Sequence, residues 1–403
     1  MYFQGEAVID LTKDDLSTHD DDNDDLPVLM SQESSLNEKG FKISGVPSYP
    51  SDKIQCNERI GGGTFGDVYT CVVDGKEKMA LKKMVNSDVY DEQMIQLWKK
   101  EIQLLHRLDH KNVIKFHGVC EELFAILLEL AVFDFKLFGH EKRLSSLKDF
   151  LGHVDSHFNF DRFEKLPIYI ASDIANGLKY LHELGITHRD LKTDNILITN
   201  QHYASLSPAE VKEQWKRRPI ISKITDFGES RSEMIQTRSF MLSRATGTNL
   251  NRGTLVYAAP ETQTMSVPTL HDLQKMDMWS FGMVLYCLTN PDVRYPYFLD
   301  IQEKAKQDGR NIRQNHVKDL LLKQALPKSS AKYAKYRSKG NVWATINRVS
   351  LLCLTASEKR ITADNAAHIL LKTGNLKISN SGQSCNVGRT FRHFQALYFY
   401  CLI

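Results

Sequence analysis

Three glycines decide which folds this chain can adopt. Gly61, Gly63 and Gly66 stand in the spacing G-x-G-x-x-G inside "RIGGGTFGDVY" (59–69). That spacing serves two phosphate-binding arrangements. In one, the turn opens straight into a helix whose N-terminus holds a dinucleotide pyrophosphate. In the other, a hairpin folds over the phosphates of a nucleotide. The residues that follow separate the two. "DVYTCVV" is rich in Val, Tyr and Thr, which favour strands, Asp74-Gly75 is a two-residue hairpin turn, and "KEKMALKKM" supplies a further strand. The order strand, glycine turn, strand, hairpin, strand excludes the dinucleotide fold. It leaves glycines that let a backbone with donating amides come close to a phosphate.

The surroundings bound the answer. A net charge of +3 over 403 residues is too small to argue for nucleic acid. Seven cysteines without a C-x-x-C pair suggest neither a zinc site nor a disulfide framework, and point to a reducing, intracellular compartment, cytoplasmic or nuclear. "FAILLELAVF" is interrupted by Glu129, so no apolar run is long enough for a membrane. No signal peptide opens the chain; residues 1–5, "MYFQG", look like the remnant of a cleavable tag. Residues 6–50 are acidic and Ser-rich without apolar period, the pattern of a disordered tail. Strand-like runs then dominate to about residue 130 and helical patterns from about 163 to 371. This predicts an α+β protein in two lobes: a domain over 54–372, its small lobe about 54–130 and its large lobe about 132–372, followed by an extension over 373–403.

Side chains two apart on a strand share a face, so Ala80 and Lys82 point the same way; if Ala80 is buried, Lys82 needs an anionic partner. The next helix offers one. Met94, Leu97, Trp98, Leu104, Leu105 and Leu108 recur at helical spacing, and Glu101 falls inside that stripe. Lys82 and Glu101 would satisfy each other and leave the ammonium aimed at phosphate oxygens.

With these features the chain resembles a eukaryotic-type protein kinase of the Ser/Thr type, with likeness to the tyrosine-kinase-like group, from roughly Ile54 to Leu371. "GITHRDLKTDNILI" (185–198) is similar to the kinase catalytic loop H-R-D-L-x-x-x-N, and "ITDFGES" (224–230) to its metal-binding D-F-G. The resemblance implies the bilobal kinase fold and transfer of the γ-phosphate of MgATP to protein hydroxyls. It casts Asp190 as the residue that orients the attacking hydroxyl and accepts its proton, Lys192 as a γ-phosphate contact, and Asn195 and Asp226 as Mg²⁺ ligands. It assigns ATP to Ile60, Gly61, Gly62, Gly63, Thr64, Phe65, Gly66, Asp67, Val68, Ala80 and Lys82, to the gatekeeper Leu128, to hinge backbone from Glu129 to Ala131, and to Leu197. Asp277 would hold the catalytic-loop backbone, His188 would sit in an apolar column with Phe227, Leu105 and Phe116, and Glu261 would pair with Arg360. Lys192 and Thr254 favour Ser/Thr acceptors. All five catalytic positions are intact, which favours an active enzyme over the alternative, a kinase-shaped scaffold acting through its tail and insertions.

The chain departs from the family pattern in three places. "VFDFKLFGHEKRL" (132–144) extends the hinge; "NQHYASLSPAEVKEQWKRRPI" (200–220) carries a helix start at Ser207-Pro208 and predicts a short basic helix on the outside of the lobe. A long activation segment offers Ser239, Ser243, Thr246 and Thr248 for phosphorylation, Thr246 or Thr248 foremost, with Arg189 to receive the phosphate. In the tail, Val8, Ile9 and Leu11 before acidic residues resemble a SUMO-interacting motif, which binds by adding a strand to a sheet edge. "KQALPKSSAKYAKYRSK" (323–339) reads as a solvated basic linker between helices, with no nucleic-acid or membrane partner.

Overall fold

The computed structural model describes residues 43–63, 66–75, 77–84, 92–158, 163–232, 254–265, 267–308, 314–338 and 342–379. The chain divides into two compact units, one of residues 1–90 with 117–128 and one of residues 91–116 with 129–403. Thr64 and Phe65, the four activation-segment hydroxyls, and Val8, Ile9 and Leu11 lie outside the described residues.

The first unit is built on β1 (Ile54–Gly63), β2 (Gly66–Val73), β3 (Glu77–Lys83), β4 (Phe116–Cys120) and β5 (Ala125–Glu129). They form one sheet in the order β1-β2-β3-β5-β4. The period of two along each strand sorts its faces. Cys71, Val73, Met79, Leu81, Ala125 and Leu127 close a buried cluster with Cys120. Val68, Ala80, Lys82 and Leu128 therefore take the opposite face, and the register sets Val68 across from Lys82 and Thr70 across from Ala80. Ala80 and Lys82 share a face, as the spacing requires, but it is not the face of the lobe's main core. Ala80 is nevertheless buried and Lys82 half-buried. Residues 43–50, placed in the tail by the sequence, make contacts with the sheet region. Ser48 bridges Val119 in parallel, Tyr49 N–H donates to Val119 O at 2.8 Å and Ile43 N–H to Glu121 Oε1 at 2.9 Å.

The second unit begins with α1 (Glu92–Leu105) and continues through β6 (Phe133–Asp134), β7 (Arg143–Leu144), α2 (Leu147–His157), α3 (Leu166–Glu183), β8 (Ile186–Thr187), β9 (Ile196–Thr199), α4 (Pro208–Arg217), β10 (Ile221–Ile224) and β11 (Arg231–Ser232). It ends with α5 (Leu270–Thr289), α6 (Phe298–Asp308), α7 (Gln314–Leu322), α8 (Ala334–Ser338), α9 (Val342–Cys353) and α10 (Ala363–Ser379). The two lobes, one a five-stranded sheet and one mainly helical, give the bilobal α+β fold. α5 is buried continuously from Met276 to Thr289, as a central helix must be. It packs against α9, and α3 packs against α10. Of the expected stripe, Trp98, Leu104, Leu105 and Leu108 are buried, Ile102 joins them, and Leu97, 41% exposed, leaves it. α10 runs to Ser379, so the boundary expected at 372 falls inside a helix. Among the described residues no helix is long and apolar enough to cross a membrane.

The two insertions are one structure. The hinge extension forms the β6–β7 hairpin around a short 3₁₀ turn, and its Phe133, Phe135 and Phe138 are buried. Their rings meet Phe150 on α2, Phe158 and Phe163 at centroid distances of 5.0–6.3 Å. Phe138 also meets Trp215 of α4 edge-on at 5.3 Å. α4 starts at Ser207 with a capping box closed by Glu210, the start signal read from the sequence. Past its end, Arg218 pairs with Asp173, which is buried on α3 and whose other oxygen accepts from Ser222 N–H at 2.9 Å. Burial pushes the Asp173 carboxyl upward, opposed by the Arg218 charge and these hydrogen bonds. The 323–339 run is likewise less solvated than expected. Tyr333 and Tyr336 are buried against Trp343, and Lys328 and Lys332 reach Glu303 and Asp155.

Candidate active site

The catalytic loop lies between β8 and β9 and is held from below by one side chain. Asp277, buried on α5, accepts from His188 N–H through Oδ2 and from Arg189 N–H through Oδ1, both at 2.8 Å. His182 Nε2 adds a third contact to Oδ2 at 3.0 Å. These bonds hold Arg189 at φ +71, a left-handed backbone that costs a non-glycine residue of order 1–3 kcal/mol. His188 is fully buried. Its Nε2 faces the Thr225 carbonyl at 2.9 Å, so the proton sits there, and Nδ1 accepts from Asp190 N–H at 3.3 Å. Its ring meets Phe227 edge-on at 5.3 Å.

Above that base, four side chains form a closed polar ring. Lys192 Nζ lies 2.9 Å from Asp190 Oδ2 and 2.9 Å from Thr254 Oγ1. Thr254 N–H returns to Asp190 Oδ1 at 3.1 Å. Asn195 Nδ2 donates to the Asp190 carbonyl at 2.8 Å and to its Oδ2 at 3.0 Å. Burial pulls the Lys192 ammonium down, but the Asp190 carboxylate, its hydrogen bond and the charges of Asp194 and Asp226 outweigh this and hold it above the ordinary lysine range. Lys192 is therefore a fixed cation. The two Asp190 carboxyl oxygens stand in different company, Oδ2 beside Lys192 and Asn195 and Oδ1 beside Thr254 N–H.

The Asn195 amide is turned with its nitrogen on Asp190, which leaves Oδ1 as a hard oxygen donor of the kind Mg²⁺ takes. Asn195 O accepts from Thr225 N–H at 3.0 Å, and the next residue is Asp226. Asp226 itself stands at φ +64, a second strained residue beside the first. Two oxygen donors on adjoining segments suit a cation that keeps waters and phosphate oxygens as its remaining ligands. Among the described residues no group of three or more His, Cys, Asp and Glu side chains could cage a metal by itself.

The nucleotide-binding candidates fall in two sets. In the first unit, Gly61 pairs with Val68, Gly62 with Asp67 and Gly63 with Gly66, so the glycine segment is the expected hairpin. Gly66 has φ +149, and a Cβ there would strike the Lys83 carbonyl, so this glycine is required by β3 and not only by a ligand. Arg59 and Asp67 join over Gly62 at 2.7 Å, and Ile60 is half-buried. In the second unit, Glu129 N–H is spent on Lys115 O at 2.9 Å, and its carboxylate takes Lys115 N–H and the Lys223 ammonium, each at 2.7 Å. The hinge amides on offer thus begin after Glu129. Ala131 is buried and Leu197 half-buried. Glu101 is 8% exposed on α1.

Farther from the reacting groups, Arg360 is 2% exposed and grips Glu261 with both nitrogens, at 2.5 and 3.2 Å. It also donates to Thr355 O and Lys275 O, and its guanidinium lies 5.1 Å from the centre of the Trp279 ring. Sequence reasoning missed two supports. Lys148 on α2 pairs with Asp194 at 3.0 Å, and Thr193 Oγ1 meets Tyr257 OH at 2.8 Å. Only the flanks of the H-R-D motif signalled them.

Comparison with known proteins agrees with this geometry. The protein kinase domain family matches residues 54–387. The chain belongs to the protein kinase family. A Dictyostelium discoideum protein named "Probable serine/threonine-protein kinase" is 30% identical over 251 residues, 60% of this chain and 22% of that protein. The Arabidopsis thaliana receptor-like protein kinase ANXUR1 is 32% identical over 238 residues, 56% of this chain and 22% of its own. The Caenorhabditis elegans tyrosine protein-kinase src-1 is 28% identical over 250 residues, 61% and 39% respectively. The chain thus spans a minor part of the length of these relatives, whose names give one probable serine/threonine kinase, one receptor-like kinase and one tyrosine kinase.

Proposed function

We propose that the protein is a serine/threonine kinase that transfers the γ-phosphate of ATP to protein hydroxyls and phosphorylates its own activation segment. The observation that carries this reading is the ring of Asp190, Lys192 and Thr254. Asp190 orients the acceptor hydroxyl and takes its proton, while Lys192, held charged, faces the phosphate being transferred. Thr254 bridges the two and walls the acceptor position, the pairing that Ser/Thr-specific kinases carry in the resemblance. In-line transfer is mostly a matter of position and charge, so a rigid ring is worth more here than a reactive side chain.

The residues fit a nucleotide with Mg²⁺. Asn195 and Asp226 would hold the cation, which when bound neutralises phosphate charge. The glycine hairpin and Lys82 would bind phosphates, with Glu101 as the partner of Lys82. Val68, Ala80, Leu128 and Leu197 would pack the base, and backbone from Glu129 to Ala131 would meet its edge. The SUMO contact through Val8, Ile9 and Leu11 stays a separate proposal, tested by titrating a tail peptide against SUMO.

Phosphoamino-acid analysis after incubation with labelled ATP, Mg²⁺ and a generic protein substrate tests the main reading. Phosphoserine and phosphothreonine are expected, with loss of label in Asp190→Asn. Phosphotyrosine alone would overturn the acceptor class. Label that survives Asp190→Asn would overturn the role of Asp190.

A further inference from the structure

Two of the seven cysteines face each other across the base of the glycine hairpin. β1 and β2 run antiparallel. Their register sets Ile54 across from Val73, Gln55 from Val72 and Cys56 from Cys71, before a bulge shifts it between Cys56 and Arg59. The hydrogen-bonding phase of the ladder follows from its first rung. Asp74 N–H donates to Lys53 O at 3.0 Å, so Lys53 and Asp74 are a hydrogen-bonded pair. Such pairs alternate with non-hydrogen-bonded ones along an antiparallel ladder. Gln55 and Val72 are therefore hydrogen-bonded, and Cys56 and Cys71 are not. A non-hydrogen-bonded pair has its Cα atoms about 4.5 Å apart and its side chains at their closest. A disulfide needs Cα atoms about 4.4–6.8 Å apart and Cβ atoms about 3.5–4.5 Å apart. The native register thus brings the two cysteines to the spacing that a bond between them requires.

The two thiols are free and differ in access. Cys71 is 1% exposed in the cluster with Val73, Met79 and Leu81, while Cys56 opposite it is exposed. Cys120 is buried in the same cluster, but on β4, which β3 and β5 separate from β2. The cluster lies on the face opposite Val68, Ala80 and Lys82, away from the side offered to a nucleotide. Burial pushes the Cys71 thiol up to about 11, and raises the Cys56 thiol against the pull of the Lys83 ammonium. Both are protonated at neutral pH, so the pair reacts slowly and only where an oxidant is supplied.

We propose that Cys56 and Cys71 are an oxidation site, which a hydroperoxide converts to a disulfide that staples β1 to β2 below the glycines. The reaction is a two-electron oxidation. With hydrogen peroxide, the Cys56 sulfur attacks one oxygen, the O–O bond breaks, the other oxygen leaves as water, and Cys56 becomes a sulfenic acid. The Cys71 sulfur then attacks the Cys56 sulfur. The S–S bond forms, the S–O bond breaks, and the second oxygen leaves as water with the Cys71 proton. The exposed thiol meets the oxidant, and the buried one, held across the ladder, resolves it. The site needs no nucleotide and stands apart from the kinase reading.

The test treats the full chain with hydrogen peroxide at about pH 8.5, the ordinary thiol value, and digests it with trypsin without reduction. Trypsin cuts after Lys53, Arg59 and Lys76. Mass spectrometry should find residues 54–59 joined to residues 60–76, lighter by two hydrogens than the separate peptides. Cys56→Ser and Cys71→Ala should each abolish the joined species, and Cys120→Ala should not. In urea the same oxidant should scatter the pairings, because the strands no longer set the register. The linked chain should melt several degrees above the reduced chain, since the bond closes a short loop of the unfolded chain, and a reductant should reverse the gain. Oxidation of Cys56 to sulfinic acid, or its capture by Cys120 or by a second chain, with no link to Cys71, overturns the assignment. A link that lowers the melting temperature also overturns it, because the strands then distort to form the bond.

Discussion

Replacing Asp277 by Asn should damage both stability and transfer, and the size of each loss can be worked from the contacts. One carboxylate, 1% exposed, accepts two backbone N–H groups and touches His182. An Asn of the same shape keeps one acceptor oxygen and turns an NH₂ toward the other N–H. One charge-assisted bond is lost, about 1.5–3 kcal/mol, and a buried donor is left facing a donor, about 1–3 kcal/mol more. Relaxation of the loop recovers part of this, since Arg189 no longer has to hold φ +71. The net expectation is about 2–4 kcal/mol, a sizeable share of the 5–15 kcal/mol that domains typically possess. Urea unfolding at constant m-value reads the stability term. Phosphate transfer reads the second term, because relaxed loop backbone displaces Asp190, and kcat should fall at least tenfold with little change in the KM for ATP. A loss below about 1 kcal/mol with unaltered kcat would refute the view that this side chain holds the loop in its working shape.

Three further outcomes follow from the same structure. Arg360→Lys removes the two-nitrogen grip on Glu261 and leaves a half-buried carboxylate poorly matched, so it should cost about 3 kcal/mol in urea unfolding, despite conserving charge. Trp215→Ala should lower the melting temperature through loss of about 2 kcal/mol, since the ring is half-buried, and should leave kcat unchanged because the insertion module lies outside the Asp190 ring. Stability should also fall as pH drops. Burial, first, and neighbouring positive charge, second, hold His110 and His153 below the ordinary imidazole value of 6.5; burial does the same for His202, against a hydrogen bond to Arg218 O. Each binds its proton less readily folded than unfolded. Their contribution is intact above pH 6.5 and is lost progressively below it, so urea midpoints at pH 7.5 and 5.5 should differ in that direction, and by less in a His153→Gln chain.

What could be read from the sequence was whatever local chemistry dictates. The glycine hairpin needed only strand formers on both sides of it. Of the Asp190 ring, Lys192 and Asn195 were legible because they follow Asp190 within five residues, whereas Thr254, 64 positions away, came only through the resemblance. Asp277 and Arg360 were legible only through the family resemblance, since nothing local says that residues 88 and 99 positions away will receive them. The hinge extension was legible as an insertion but not as a packed one, because no local signal names the partners of its rings, Phe150, Phe158, Phe163 and Trp215. The two insertions meet where Phe138 touches Trp215, while the hairpin's phenylalanines also pack on Phe150, Phe158 and Phe163. Phe133 and Phe135 alternate with Asp134 and Lys136, Leu137-Phe138 follows, and Trp215 is the one aromatic in a largely charged helix. Large apolar side chains in otherwise polar insertions ask for a partner.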